Sequence, residues 1–250
     1  MMENPWIISK GQLHVEVCFS PALYSYKLTK TNFIAVVVDI LRASTSICAA
    51  LDHGVKEIIP VAGVEEARSY KENGFIVACE RDGKVLDFAD VGNSPSDFLH
   101  HSFEQATIAY STTNGTRTIH HASDANAIVI GSFVNLSSLA SWLSKQKSNV
   151  VILCAAWKNL FNMEDSVFSG ALVDKLLNTS GFQTTCDSAK AARDLWSLAR
   201  NDLAGYLGKS SHRNRLKHLV SDEDFNYTIT PDTTHVIPSF RDGSITNLAT

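Results

Sequence analysis

Continuous apolar runs, each followed by a more polar segment, recur along most of this chain. The runs are rich in Val, Ile and Ala and do not alternate with polar residues, as Phe33–Asp39 and Val150–Cys154 illustrate. Strands that are covered on both faces have this pattern. The predicted strands are Leu13–Phe19, Phe33–Asp39, Glu57–Val61, Phe75–Cys79, Ala106–Ser111, Ala127–Gly131 and Val150–Cys154.

Segments with apolar residues at helical spacing lie between these strands. They predict helices at Ser44–His53, Val64–Asn73, Gly115–Ala122, Leu136–Gln146 and Glu164–Asn178. Alternation of strands and helices is typical of an α/β protein with a parallel sheet. We therefore expect a layered α/β/α fold, with a largely parallel or mixed central sheet and helices on both faces.

The pattern changes in the last quarter of the chain. Asp187–Leu207 has helical spacing, and Ser210–Leu219 is a basic segment that we also expect to be helical. Asp222–Ile237 is predicted to form one or two closing strands, which Pro238 would end.

Composition limits the class of protein without identifying it. The chain has 250 residues, of which 44% are hydrophobic and 19% charged, which suits one domain with deeply buried strands. We expect that domain to cover residues 1–240, with or without a subdomain from about residue 187, and residues 241–250 to form a mobile tail. The formal net charge is −4 and no basic run occurs, so no nucleic-acid partner is expected.

The cysteines and the N-terminus favour a cytoplasmic protein without a membrane partner. The 5 cysteines show no C-x-x-C spacing, which argues against a disulfide framework or a zinc site. Buried reduced thiols are expected instead at Cys18, Cys48, Cys79, Cys154 and Cys186. The first residues do not resemble a signal peptide, and the apolar runs are too short to span a bilayer. Trp142, if exposed, would suit a homodimer.

The strand that ends at Asp39 is followed by a dense group of candidate site residues. Arg42, Ser44 and Thr45 come next, where a helix is predicted to begin. Ligands bind at the carboxyl ends of strands in open α/β sheets. An acid beside a guanidinium and a helix start suits a divalent cation next to a phosphate. The alternative is that Asp39 only caps the helix.

A second acid–arginine pair, Glu80–Arg81, follows the strand predicted at Phe75–Cys79. Alone, it is more typical of a tight turn with a surface ion pair, which contributes little stability. Because it repeats the chemistry of Asp39 and Arg42, we predict one shared site. The predicted catalytic residues are Asp39, Arg42, Glu80 and Arg81.

Loops after several strands supply hydroxyl, amide and glycine groups that suit phosphate oxygens. Asn114–Gly115 permits positive φ before a predicted helix, which would build a nest of N–H donors; an Asn-Gly hairpin turn is the alternative. Ser94 and Asn135 have helix capping as their simpler role. The predicted phosphate-binding residues are Ser44, Thr45, Asn93, Ser94, Thr113, Asn114, Gly115, Thr116, Ser132 and Asn135.

Two adjacent acids, Glu164 and Asp165, follow the last central strand and begin a predicted helix. Acids at a helix start interact favourably with the helix dipole, which is the simpler explanation. Mg²⁺ binds one or two carboxylates and keeps several waters. We therefore predict Mg²⁺ as the cofactor, with Asp39, Glu80, Glu164 and Asp165 as candidate ligands. No Walker A, G-x-G-x-x-G or G-x-S-x-G motif occurs, which argues against P-loop kinases, Rossmann dehydrogenases and serine hydrolases.

Taken together, these segments resemble the 2-phosphosulfolactate phosphatase family, also called the ComB-like proteins. The matching stretches occur in the family's order at Val38–Thr45, Glu80–Arg81, Gly92–Pro95, Thr112–Thr116, Gly131–Asn135 and Cys154–Trp157 with Glu164–Asp165. The resemblance covers about residues 10–240. It departs from the family at Cys79 and Ala156, where the family usually has Gly, and we expect this added bulk to alter the pocket.

The resemblance implies a Mg²⁺-dependent phosphatase that hydrolyses (2R)-2-phospho-3-sulfolactate to 3-sulfolactate and phosphate, in coenzyme M biosynthesis. Arg42 and Arg81 would then balance the charges of this small anionic substrate, and Asp39 would be a nucleophile or a metal ligand. Two alternatives stay open. One is a phosphatase of the same chemistry that acts on another small phosphorylated acid, and the other is a non-catalytic binder of anionic metabolites.

Overall fold

The computed structural model describes residues 11–179 and 181–248, which form strands and helices in alternation. The strands are β1 (Leu13–Cys18), β2 (Phe33–Val38), β3 (Glu57–Pro60), β4 (Ile76–Arg81), β5 (Lys84–Val85), β6 (Thr107–Ser111), β7 (Ala127–Gly131), β8 (Asn149–Cys154), β9 (Phe182–Gln183), β10 (Pro238–Arg241) and β11 (Ser244–Asn247). The α-helices are α1 (Ala43–Asp52), α2 (Val64–Glu72), α3 (Pro95–Leu99), α4 (Gly115–His121), α5 (Leu136–Lys145), α6 (Met163–Leu177), α7 (Asp187–Ala199), α8 (Leu203–Gly208), α9 (Ser211–Leu216) and α10 (Asp222–Ile229).

The sheet consists of two parallel halves that an antiparallel hairpin joins. Its strand order over the described residues is β5-β4-β6-β3-β11-β10-β7-β2-β8-β1-β9. β2 pairs in parallel with β7 and β8, and β6 pairs in parallel with β3 and β4. β10 and β11 are antiparallel to each other, and they are also antiparallel to β7 and β3, respectively. The predicted α/β class with a largely parallel sheet is confirmed.

The sheet curves around α1. One hydrophobic cluster contains Val37 of β2, Ile47 of α1, Ala78 of β4 and Tyr110 of β6, so both halves of the sheet contribute to it. Strands in a sheet twist by roughly 20–25° per pair. Accumulated across the hairpin, this twist brings the carboxyl ends of β2 and β4 to one region, although the two halves run in opposite senses along the ladder.

Helices cover the outer faces of both halves. The side chains of Phe133, Phe168 and Leu172 fill the cluster under α5, α6 and α7, whereas Ala67 of α2 packs against Val77 on the other half. Every residue of β2 is buried, which explains its continuous apolar pattern. All five cysteines are buried and free, as predicted.

The prediction of closing strands over Asp222–Ile237 is wrong, because α10 begins this segment. Ser221 caps the helix, since its Oγ accepts a hydrogen bond from the N–H of Asp224 at 3.0 Å. The first turn of α10 is acidic, which favours the helix dipole, and Phe225 is buried. Capping and packing therefore outweigh the strand-forming residues near Ile229.

The segment from Arg241 forms a hairpin strand, not the expected tail. Pro238 begins β10 where we expected it to end a strand. Ile245 of β11 is fully buried and pairs with β3 at the centre of the sheet. Asp242–Gly243 has φ values of 51° and 88°, which suit a two-residue hairpin turn. Residues 249–250 lie outside the described residues.

Smaller differences concern the helical segment after β9. The helix predicted over Asp187–Leu207 is divided into α7 and α8, because Asp202 accepts a hydrogen bond from the N–H of Gly205 at 2.9 Å and caps α8. Trp142, which we consider above as an exposed residue, is half-buried and packs against the core. The domain count and the homodimer stay predictions.

No helix in the described ranges is long and apolar enough to cross a bilayer.

Candidate active site

A cavity of about 40 Å³ lies at the carboxyl ends of β2 and β4. It contains both acidic and basic side chains, and a tryptophan forms part of its wall. The lining residues are Asp39, Leu41, Arg42, Glu80, Asp82, Gly83, Asn93, Thr113, Asn114, Trp157, His212, Arg215 and Leu216. Among the residues predicted from the sequence, the cavity brings together Asp39, Arg42, Glu80, Asn93, Thr113 and Asn114.

Asp39 is held in the turn between β2 and α1. Its backbone N–H donates to Ser44 Oγ at 2.7 Å, and its carbonyl oxygen accepts a hydrogen bond from the N–H of Ser44 at 2.8 Å. A Cβ on Gly115 would lie 2.9 Å from Asp39 Oδ2 and 2.6 Å from Ala43 Cβ. Only glycine therefore lets the start of α4 approach this carboxylate so closely.

The environment of Asp39 favours its protonated form. Burial is the largest cause and raises the pKa of Asp39 to about 6. The His212 side chain and a hydrogen bond from the N–H of Ala43 lower this pKa, whereas the carboxylates of Glu80 and Glu164 raise it. The N-cap position of α1 is occupied by Arg42 and not by Asp39. The Asp39 carboxylate lines the cavity, so helix capping does not account for this residue.

Glu80 anchors two loops of the cavity wall. Its Oε1 accepts hydrogen bonds from the N–H of Thr113 at 2.8 Å and from Thr113 Oγ1 at 3.2 Å. Its Oε2 accepts a hydrogen bond from the N–H of Gly83 at 2.7 Å. Both carboxylate oxygens are thus occupied by protein donors, which makes Glu80 a weaker candidate for a metal ligand than the sequence indicates.

The guanidinium of Arg42 is buried beside the cavity, and its hydrogen-bond acceptors among the described residues are all neutral oxygens. It donates to Ser94 Oγ at 2.6 Å, to the carbonyl of Gly83 at 3.2 Å and to the carbonyl of Leu219 at 3.4 Å. A buried charge without a counter-ion is unfavourable. An anion in the cavity would supply that counter-ion, and guanidinium groups bind phosphate and carboxylate well.

Arg81 does not line the cavity. Alternation along β4 places Arg81 and Cys79 on the face opposite Glu80, and Arg81 donates to Ser111 Oγ at 2.9 Å. The predicted pairing of Arg42 with Arg81 around a substrate is therefore not found. Cys79 packs against Val77 beneath α2, so its extra bulk does not narrow the cavity as we expected.

The short helix α9 contributes two cavity residues that the sequence does not single out. His212 Nδ1 forms a hydrogen bond with Glu164 Oε1, and the Glu164 side chain is fully buried. The guanidinium of Arg215 lies 4.2 Å from the ring centroid of Trp157 and stacks on it. The sequence signal for these residues is only the basic composition of Ser210–Leu219, which contains no strand edge to place it at a site.

Asp165 ties strand ends together and does not reach the cavity. Its Oδ1 accepts a hydrogen bond from the N–H of Ile40 at 2.8 Å. Its Oδ2 accepts hydrogen bonds from the N–H of Ala156 at 3.2 Å and from Asn162 Nδ2 at 2.9 Å. Burial, reinforced by the nearby Asp39 carboxylate, raises the pKa of Asp165 well above its ordinary value.

Asp39 and Asn93 at the cavity, and Glu164 behind His212, carry oxygens of the type that Mg²⁺ binds. Glu164 Oε2 and Asn93 Oδ1 are buried and have no hydrogen-bond partner among the described residues. Like the Asp39 carboxylate, they are oxygen donors, which Mg²⁺ prefers, and Mg²⁺ needs only one or two carboxylates. No group of three or more His, Cys, Asp or Glu side chains within residues 11–179 and 181–248 is arranged as a metal site.

The other predicted phosphate-binding residues support the loops and do not line the cavity. Thr45 Oγ1 and Ser132 Oγ share a hydrogen bond of 2.8 Å, and both residues are fully buried. Thr116 Oγ1 donates to the carbonyl of Thr112 at 3.3 Å. Asn135 accepts a hydrogen bond from the N–H of Ser132 at 3.0 Å, and Ser94 is the N-cap of α3. Ser94 and Asn135 therefore occupy the predicted N-cap positions of α3 and α5, but the Asn135 side chain makes no capping hydrogen bond to α5 and bonds Ser132, Ile130 and Val236 instead.

Comparisons with known proteins agree with the order of the motifs. The family model for 2-phosphosulpholactate phosphatase matches residues 18–243. A probable 2-phosphosulfolactate phosphatase of Caldanaerobacter subterraneus subsp. tengcongensis is 32% identical over 214 residues, which cover 84% of this chain and 88% of the relative. Proteins of the same name from Clostridium beijerinckii and Thermotoga maritima are 32% identical over 219 residues (86% of this chain and 92% of the relative) and 33% identical over 210 residues (84% and 89%), respectively. The chain therefore belongs to the 2-phosphosulfolactate phosphatase family.

Proposed function

We propose that this protein is a phosphatase that hydrolyses 2-phospho-3-sulfolactate to 3-sulfolactate and phosphate. The observation that carries the proposal is the cavity in which the Asp39 carboxylate lies with the buried guanidinium of Arg42, which forms no ion pair with any residue that the structure describes. Membership of a family that bears the name of this activity supports the same reaction. A place in coenzyme M biosynthesis and a cytoplasmic location belong to this proposal.

Mg²⁺ is the proposed cofactor. Asp39, Glu164 and Asn93 would hold it, because their oxygens include the two buried ones that lack a partner among the described residues. When bound, Mg²⁺ supplies neutralisation of the charge on a phosphoryl group. Glu80 and Asp165 support the site by positioning its loops, since protein donors already occupy their oxygens.

The protein's own groups bind and orient the phosphoryl group in this proposal. Arg42 provides a buried positive charge, and Arg215 provides a second one that Trp157 holds in place. Thr113 and Asn114 add polar groups on the opposite loop. Asp39 acts in its ionised form, either by attacking phosphorus or by binding the metal. Burial raises its pKa to about 6 in the metal-free protein, and a bound cation would lower this pKa because it favours the carboxylate.

The first experiment measures phosphate release from 2-phosphosulfolactate and from 2-phospholactate, with Mg²⁺ and with EDTA. We expect release that depends on Mg²⁺ and is faster from the sulfonated ester. Release from the unsulfonated ester alone would keep the mechanism and change the substrate. No release from either ester by folded protein would favour a binder of anionic metabolites over an enzyme.

The second experiment replaces the central carboxylate. We expect Asp39→Asn to lower kcat by at least about 1,000-fold, because single replacements of such groups have effects of that size or larger. Asp187→Asn is a matched control, since its side chain is 90% exposed at the start of α7, and we expect no change in kcat. Near-normal turnover by Asp39→Asn would contradict the proposed role of Asp39.

A further inference from the structure

A second cavity, of about 130 Å³, adjoins the first one. The two cavities share Thr113 and Asn114, which form the boundary between them. The second cavity lies between α4 and the loop that follows β8, and neither the sequence motifs nor the family comparison assigns it a role.

The titratable side chains that line the second cavity are all basic. They are Arg117 and His121 from α4 and Lys158 from the loop after β8. None of the three takes part in the ion pairs or hydrogen bonds found within the described ranges, where the acidic partners belong to other basic residues. The formal net charge of the whole chain is −4, so the positive charge at this cavity is opposite in sign to the net charge of the protein.

The first cavity is small and opens outward, so a phosphorylated acid bound at Asp39 and Arg42 would not lie wholly inside it. A volume of about 40 Å³ has room for only a few water molecules. A substrate whose phosphate reaches Asp39 and Arg42 therefore extends into neighbouring space. The other neighbouring cavity shares Trp157, His212 and Arg215 with the first one. The rest of its wall is largely apolar, with Leu160, Phe161 and Met163, so it adds no cation beyond those that the first cavity already has.

We propose that the second cavity is a subsite for an anionic substituent of the substrate, either a sulfonate or a carboxylate. This inference rests on the proposed function, which places the phosphate in the first cavity. A substituent on the carbon next to the phosphate ester then passes the boundary at Thr113 and Asn114. Arg117 and Lys158 donate charged hydrogen bonds to its oxygens, and contacts of this kind are stronger than neutral ones.

The test compares two double variants that remove the same charge. Arg117→Gln with Lys158→Gln removes two cations from the second cavity. Lys56→Gln with Arg200→Gln is the matched control, because both residues are exposed and lie outside the cavities. kcat/KM is measured for 2-phosphosulfolactate and for 2-phospholactate at one fixed ionic strength.

We expect the cavity variant to lower kcat/KM for 2-phosphosulfolactate by about tenfold or more relative to the control variant, since hydrogen bonds to charged groups contribute at least that factor. A loss confined to the sulfonated ester identifies the bound group as the sulfonate. An equal loss with both esters identifies it as the carboxylate. An unchanged kcat/KM for both esters would overturn the subsite.

A binding measurement separates failure of the subsite from failure of the proposed activity. Calorimetric titration with 3-sulfolactate, in EDTA, requires no turnover. If the protein hydrolyses neither ester, weaker binding of 3-sulfolactate by the Arg117→Gln, Lys158→Gln variant than by the control variant still supports the subsite. Equal affinity of both variants for 3-sulfolactate, or no binding by either variant or by the unaltered protein, would overturn it.

Discussion

Ala156 has a φ of 58°, a backbone conformation that favours glycine. A Cβ in this region costs roughly 1–2 kcal/mol. The N–H of Ala156 is fixed by Asp165 at 3.2 Å, and the next residue, Trp157, lines the cavity, so the surroundings hold the strained backbone in place. The alanine at this position, where the family usually has glycine, therefore affects the stability of the protein more than the size of the cavity.

Replacement of this alanine tests the argument. We expect Ala156→Gly to raise the free energy of unfolding by about 1 kcal/mol in urea denaturation, because it removes the Cβ from a left-handed backbone. Ala155→Gly is the control, since Ala155 is not among the residues with positive φ, and it should lower the same quantity by about 0.5–1 kcal/mol. A loss of stability in both variants would show that Ala156 is not strained.

The raised pKa of Asp39 predicts that the free energy of unfolding of the metal-free protein depends on pH. Burial raises its pKa from 3.8 to about 6 in the folded state, so the folded state binds this proton more tightly than the unfolded state. The resulting destabilisation is absent below the lower pKa and complete above the higher one. Asp39→Asn should therefore be more stable than the unaltered protein at about pH 7, on the order of 2–3 kcal/mol.

The measurement is the free energy of unfolding in urea, with EDTA, from about pH 4 to about pH 7. The difference in free energy of unfolding between Asp39→Asn and the unaltered protein should shrink as the pH falls from about 7, and it should vanish near about pH 4. Asp187→Asn, whose side chain is 90% exposed, should follow the unaltered protein at every pH. A constant difference for Asp39→Asn would contradict the raised pKa.

For single residues, the sequence predicts the acidic residues of the cavity better than it predicts the basic residues that lie beside them. Asp39 and Glu80 could be predicted because each directly follows an apolar strand, and strand ends meet where ligands bind. His212 and Arg215 could not, because they reach the cavity from a short helix whose position depends on tertiary packing. Arg81 is next to Glu80 on β4, and alternation along the strand turns its side chain away from the cavity.

Among the elements, the two loops that Glu80 connects form one wall of the cavity. Its carboxylate accepts hydrogen bonds from the N–H groups of Thr113 and Gly83, which belong to the loop after β6 and the turn between β4 and β5. A glutamine offers only one acceptor oxygen, so its amide group would face one of these N–H donors. The wall therefore depends on a carboxylate at this position.

We expect Glu80→Gln to lower the free energy of unfolding by about 1–3 kcal/mol, since one buried donor loses its acceptor. Thermal or urea denaturation measures this change. Glu57→Gln is the control, because Glu57 accepts only a long hydrogen bond from Thr107 Oγ1 at 3.4 Å, and surface changes of this kind stay within about 0.5 kcal/mol. Equal stability of the two variants would mean that Glu80 does not hold the loops.

Helices and strands were predicted correctly where the hydrophobic period was strong. The predictions were wrong where a short signal, such as a cap or a turn, competed with that period. The segment around Tyr227 reads as a strand, but the cap at Ser221 makes it a helix. Asp242–Gly243 is a hairpin signal between Phe240 and Ile245. The sequence predicts a tail from Arg241 and not a strand. The reason is that β11 pairs with β3, and the local pattern of residues does not contain such long-range contacts.

For the whole molecule, the hairpin of β10 and β11 is the connection between the two parallel halves of the sheet. Ile245 lies fully buried on β11, within the cluster that surrounds α1. Removing its side chain leaves a cavity where the halves meet, and such changes cost about 2–5 kcal/mol. The hairpin thus contributes to stability out of proportion to its length.

We expect Ile245→Ala to lower the free energy of unfolding by about 2–5 kcal/mol in urea denaturation. Thr246→Ala, one position along the same strand and exposed, should change it by no more than about 0.5 kcal/mol. Similar, small effects of both substitutions would show that the hairpin is not an integral part of the core.

The position of this hairpin also sets an order of events during synthesis. Domains fold as the chain emerges from its N-terminus, and β11 is the last strand of the described sheet to be made, although it lies at the sheet's centre. Until it is made, β3 and β7 present unpaired edges, which are sites of unwanted association with other chains. The nascent protein thus carries both exposed sheet edges from the synthesis of β7 until the hairpin arrives, which is roughly the second half of its translation.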